Sequence, residues 1–192
     1  MKKLVLAAAL CALAAPVHAQ TAAPANADQK NAEQGTVSAA TKKFVTDAAM
    51  TDMFEIQAGQ LALKKADGPA YQDFSQMTIL DHTKTSQQLK QMAPSLQGVQ
   101  LPLELDSALK AKIDKLSSSS GAAFERQYKT EQVAGHRQAV EMFETYARSG
   151  DNAELKRWAA QTLPTLEMHL QHAEALPDPQ SAPTTGSGTK SK

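Results

Sequence analysis

The chain is predicted to be all-α, built from four long helices with a short extra helix in the connection between the second and third. Three observations carry this. Apolar residues recur at steps of three and four over four long segments, turn signals separate those segments, and no stretch alternates apolar with polar residues as a half-buried strand would.

The first helix is expected over Thr41 to Ala66, with Phe44, Ala48, Thr51, Glu55, Ala58 and Ala62 on one stripe and Val45, Ile56 and Leu63 beside it. Asp67-Gly68-Pro69 stops it and opens the next, since proline is tolerated in a first helical turn. The second helix, Pro69 to Ala93, lines up Thr78, His82, Thr85, Leu89 and Met92 with Phe74 and Met77 on its flank, and Pro94, Gly98 and Pro102 end it. The short helix spans Leu105 to Leu116 before Ser117 to Gly121 breaks the pattern.

The third long helix, Ala122 to Arg148, carries Val133, His136, Val140, Phe143 and Ala147. Ser149-Gly150-Asp151 closes it, and Asp151 or Asn152 caps the fourth, Ala153 to Leu176. There Leu155, Ala159, Thr162, Leu166, His169, Ala173 and Leu176 share a face, with Pro164 expected to bend the helix. Two hairpins joined by a long connection make a bundle with a crossover, the ferritin-like four-helix arrangement; an up-down-up-down bundle with an added helix is the alternative.

The ends read differently. Met1-Lys2-Lys3, the apolar run Leu4 to Ala15 and Val17-His18-Ala19 form a secretory signal peptide, residues 1–19, cut after Ala19, which predicts a periplasmic or secreted protein. Residues 20–38 and 177–192 are poor in large apolar side chains and read as disordered tethers around a domain over residues 39–176. The single cysteine, Cys11, lies in the leader, so the mature chain has no disulfide, thiolate ligand or cysteine nucleophile. Loss of Lys2 and Lys3 leaves 18 basic against 20 acidic residues with no basic block, which argues against nucleic acid as a partner. No second apolar run approaches the roughly 20 residues of a membrane helix.

Four histidines remain outside the leader, His82, His136, His169 and His172, on three of the helices, and Glu55 lies within the stripe of the fourth. Imidazole and carboxylate are ligands for zinc, iron, manganese or copper, and bundle sites are built from side chains aimed inward on facing helices. Glu55, His82, His136 and His169 therefore form a candidate metal site. Counted from Gly68, Glu55 and His82 stand level; counted from Gly150, His136 and His169 differ by five residues, roughly 7.5 Å of rise, which strains a single site. His169 and His172, with Met168 beside them, form a second candidate near the surface. Against these stands a structural reading, in which Glu55 bonds His82 or His136 and the cluster is a satisfied polar core. The scattered methionines read as core filler, Trp158 as a packing anchor, and Asp81 as a surface charge.

Phe44-Val45, Glu55, Leu61-Ala62, Asp81-His82-Thr83-Lys84, Leu116 with Ser117 to Phe124, His136, and Leu163-Pro164-Thr165-Leu166 followed by His169-Leu170 resemble a bacterial exported family, domain of unknown function 4142. The resemblance covers residues 41–176. It implies a ferritin-like bundle and no established activity; the family's frequent outer-membrane label finds no support in the residues. It also implies an aspartate before the third-helix histidine, where this chain has Gly135.

The di-iron pattern of Glu-x-x-His on two helices is missing, and no nucleophile stands at useful spacing from a base, so catalysis is not expected. The function expected is transition-metal binding in the bundle core. The alternative is an envelope protein that meets a protein partner or protects against stress, with a purely structural His/Glu core.

Overall fold

The structure, a computed structural model, describes residues 36–179; the expected signal peptide and most of the two expected tethers lie outside them. The described residues fold into α1 (Ala39–Lys65), α2 (Pro69–Met92), a 3₁₀ turn (Ala93–Ser95), α3 (Ser107–Ser118), α4 (Gly121–Ser149) and α5 (Ala153–Ala175), with no strand among them.

Each start has a local cause. The Ser38 side chain accepts the Thr41 amide at 3.0 Å, so α1 begins two residues before the expected Thr41. Asp106 accepts the Leu109 amide at 2.8 Å and moves the short helix to begin at Ser107. Asn152 accepts the amides of Glu154 and Leu155 and starts α5. Pro69 occupies the first turn of α2, and Gly121, at φ 52°, takes a backbone that glycine tolerates best. Pro164 lies inside α5 without ending it.

In each hairpin the helices run antiparallel. Across the bundle α1 also runs antiparallel to α4, since Phe44 stacks on Tyr146 and, at the other end, the amides of Asp67 and Gly68 donate to Glu125 Oε1 at 3.0 Å. α2 runs antiparallel to α5: Trp158 Nε1 donates to Gln88 at 2.9 Å, and Tyr71 OH donates to the Pro177 carbonyl at 2.7 Å. The order is thus up, down, down, up, with residues 93–120 crossing the length of the bundle and α3 packing on α1 and α4. The up-down-up-down alternative does not occur.

The core has two apolar clusters. One holds Phe44, Leu89, Phe143, Tyr146, Leu155, Trp158 and Leu166. The other holds Phe54, Tyr71, Phe74, Leu116, Phe124 and Tyr128. A fully buried side chain of this size contributes about 1.5–3 kcal/mol, so these two clusters supply the drive to fold and have to offset whatever is buried between them. Trp158 packs in the first as an anchor, as the sequence suggested.

α1 and α2 approach closely at Gly59, where a Cβ would stand 2.7 Å from Ile79 Cγ1. Gly59→Val is expected to cost about 1–3 kcal/mol through overpacking. Urea denaturation should show part of that loss recovered in the Gly59→Val/Ile79→Ala double variant.

Candidate metal centre

Between the two clusters lies a polar layer. α1 contributes Asp52 and Glu55 at a spacing of three, α2 His82, α4 Gln132 and His136 at a spacing of four, and α5 His169, so helical periodicity turns all of them inward. His82, His136, His169 and Glu55 are each no more than 2% exposed, and Asp52 is 4% exposed.

Each imidazole is held by one nitrogen. His136 Nδ1 lies 2.9 Å from the Gln132 carbonyl; a carbonyl only accepts, so the proton is on Nδ1 and the lone pair on Nε2. His82 Nδ1 meets Asp52 Oδ1 at 2.9 Å, and the Thr85 hydroxyl donates to the same oxygen at 2.7 Å. His169 Nε2 meets Asp81 Oδ2 at 2.9 Å. The second nitrogens, His82 Nε2, His136 Nε2 and His169 Nδ1, are buried without a hydrogen-bond partner.

The rings converge, with centroids 5.3 to 5.7 Å apart, and one ligand atom from each of the three lies within 4.8 Å of the others. Among the described residues this is the group whose ligand atoms come together in that way. Asp52 Oδ2, Glu55 Oε2 and both side-chain polar atoms of Gln132 are also buried without partners.

Burial governs the protonation. It pushes His82 from 6.5 down to about 4, with Glu55 pulling upward and His136 pushing further down. It pushes His169 down to about 4 as well, reinforced by repulsion from His136 and His82. Burial also raises the Asp52 carboxyl well above its usual range, against the pull of the Thr85 hydroxyl. His82 and His169 are thus neutral imidazoles at pH 7, the form that binds metals.

The structure brings three of the five expected residues together. His82, His136 and His169 come together despite the height mismatch. Thirteen residues separate His136 from the end of α4 and sixteen separate the start of α5 from His169, so the offset is about three residues, or 4.5 Å, within reach of side chains on tilted helices. Glu55 stands at the edge of the triad, its Oε1 4.0 Å from His136 Nδ1. His172 is exposed and lies beside Ala70, Asp73 and Met77, away from the triad.

Two carboxylates change the reading. Asp81, expected to be a surface charge, is half-buried and bonded to His169. Asp52 was missed, although it continues the Val45, Ala48 spacing at a step of four and stands level with His82. Gly135, where the family resemblance implies an aspartate, faces Glu55: a Cβ there would lie 3.3 Å from Glu55 Oε1.

A family model described as a domain of unknown function, DUF4142, matches residues 26–176. No curated protein matches the sequence. Among solved structures, a fragment of a DUF305 protein from Deinococcus radiodurans is similar with a TM-score of 0.62 at 16% identity, over 73% of this chain and 96% of that one. CopM, solved in its Cu(II)-bound form, is similar with a TM-score of 0.59 at 14% identity, over 70% of this chain and 93% of that one. At such identities the likeness shows the helical fold.

The two depressed histidines predict acid sensitivity. Unfolded, they take up protons near pH 6.5, and folded only near 4, so stability is complete above 6.5 and falls as pH drops toward 4. One such histidine accounts for roughly 3 kcal/mol, and the second for less because the shifts include mutual repulsion. The raised Asp52 carboxyl acts oppositely, favouring the fold most where it is protonated. In chelator, the urea midpoint is expected to fall steeply from pH 6.5 to 4.5, and less steeply in His169→Gln; a midpoint level over that range would contradict this assignment.

Proposed function

We propose, from the premise that the chain belongs to the family described as Domain of unknown function (DUF4142), that it binds one transition-metal ion through His82, His136 and His169. The observation that carries this reading is the pattern of ring nitrogens: every imidazole has one nitrogen tied to protein and the other buried and unpartnered, in a cluster where one ring nitrogen from each histidine lies within 4.8 Å of the others. Leaving a buried polar atom unsatisfied costs about 1–3 kcal/mol, so three such atoms in one layer are expensive as a purely structural core. A cation that takes all three lone pairs offsets that cost.

The surrounding residues support the same reading. Asp52 and Asp81 behind His82 and His169 form the carboxylate–histidine pairs that fix ring orientation and raise ligand basicity in metal sites. Three imidazoles suit copper, zinc, iron or nickel, and Glu55 adds a negative charge beside them, its Oε1 4.0 Å from His136 Nδ1. The similarity to CopM, solved with Cu(II), makes copper the first ion to test. The crossover order of the helices supports a ferritin-like reading of the fold, and the leader-like first residues support export to the periplasm. The chemistry proposed is binding, with any redox change confined to the ion itself, since the helices lack the Glu-x-x-His pattern of a di-iron centre.

The test is metal content by mass spectrometry on purified mature protein after exposure to copper, zinc, iron and manganese. Near-stoichiometric metal is expected, lost in His82→Ala and in His169→Ala. Asp52→Asn and Asp81→Asn should keep the fold and weaken affinity about 10–100-fold. If no ion is retained at micromolar concentration and His82→Ala merely lowers the melting temperature, the layer is a structural polar core.

A further inference from the structure

The triad is buried, so an ion has to reach it by some path, and both faces between the two hairpins pack less closely than the hairpins themselves. α1 and α4 pack against each other far less extensively than the partners within either hairpin. Between them runs a groove of about 1020 Å³, with α3 along one side. Its apolar walls include Met50, Phe54 and Met142, and at its floor lie Glu55 and Gly135.

We infer that this groove is the path by which the cation reaches the triad, with Glu55 as the carboxylate that receives it beside the triad. The inference rests on the metal-binding reading above. Glu55 belongs to both places: it lines the groove, and its Oε1 lies 4.0 Å from His136 Nδ1. It is 1% exposed, and its Oε2 is buried without a partner. A carboxylate in that condition is costly to bury, and a passing cation compensates it.

Gly135 keeps the floor open. A Cβ at this position would press on Glu55 Oε1 at 3.3 Å, and any larger side chain would fill the space between the groove and the carboxylate. Glycine in the middle of a helix costs about 0.5–1 kcal/mol relative to alanine, so something other than helix stability favours it here.

The rim has the matching charge. Lys43 pairs with Asp47 and Lys112 with Glu131, while Asp106, Glu141 and Asp151 meet no lysine or arginine among the described residues. The mouth is net acidic and draws cations toward it.

The experiment is stopped-flow mixing of metal-free protein with Cu(II), and separately with Zn(II), followed by tryptophan fluorescence and by metal content at equilibrium. The wild type is compared with Gly135→Leu, Glu55→Gln and Met142→Trp, the last placed on the wall away from the triad. Uptake is expected to slow about tenfold or more in Gly135→Leu and Met142→Trp, equivalent to about 1.4 kcal/mol of barrier, with final stoichiometry unchanged in Met142→Trp. Glu55→Gln should slow uptake of both ions. If the wild type binds no metal, the metal-binding reading fails and the path with it. If the wild type binds and Met142→Trp, folded by circular dichroism, takes up metal at the wild-type rate, the groove is not the path and the triad stands alone.

Discussion

Everything in this bundle turns on a single desolvated layer, in which three imidazoles and two carboxylates are withdrawn from water midway between two apolar clusters. Burying such groups costs several kcal/mol each unless they find partners, and the partners come from different helices. His82 needs Asp52 of α1 and His169 needs Asp81 of α2. A one-residue slip turns a helix by about 100° and would set a histidine against the aromatic clusters on either side. The layer therefore acts as a register lock that the clusters alone, being apolar and forgiving of repacking, would not supply.

The same interactions that lock register also orient the imidazoles. A hydrogen bond to one nitrogen decides where the other nitrogen points and which tautomer the ring adopts. For His136 the acceptor is a carbonyl, which leaves no choice of tautomer. Desolvation keeps His82 and His169 neutral, so their lone pairs are not lost to protons at pH 7. Folding energy spent on burying polar groups is thereby converted into a set of oriented, deprotonated donors.

Helical periodicity made the four long helices, their turns and the three converging histidines legible in the sequence, because each histidine lies on a single clear stripe. It was less informative about α1 and α2, whose partners lie on two sides. A helix packed against two neighbours buries a wider arc than one stripe, and on α1 that arc takes in Asp52 where the narrower stripe had Thr51. Asp81 precedes His82 and so points about 100° away, but that direction faces α5 and not solvent. His169 stands nearer the height of His136 than the spacing from Gly150 implies, because the turn residues between α4 and α5 add no rise. Glu55 was found by its stripe, yet its position beside the triad follows from Gly135, whose missing Cβ no periodicity reveals.

Gly135 also explains how this chain accommodates its departure from the family pattern. The resemblance implies an acidic residue before the third-helix histidine, where it would sit on α4. Here the backbone carbonyl of Gln132 holds His136, and the nearest acidic group, Glu55, comes from α1 through the space that the glycine leaves. His136 is consequently unlike the other two imidazoles: a neutral carbonyl polarises its ring less than a carboxylate does, so its Nε2 is the weaker donor. The negative charge on that side comes from Glu55, the residue that also meets the groove. Moving the carboxylate from behind the histidine to beside it exchanges a fixed orienting partner for a group that keeps one oxygen without a hydrogen-bond partner.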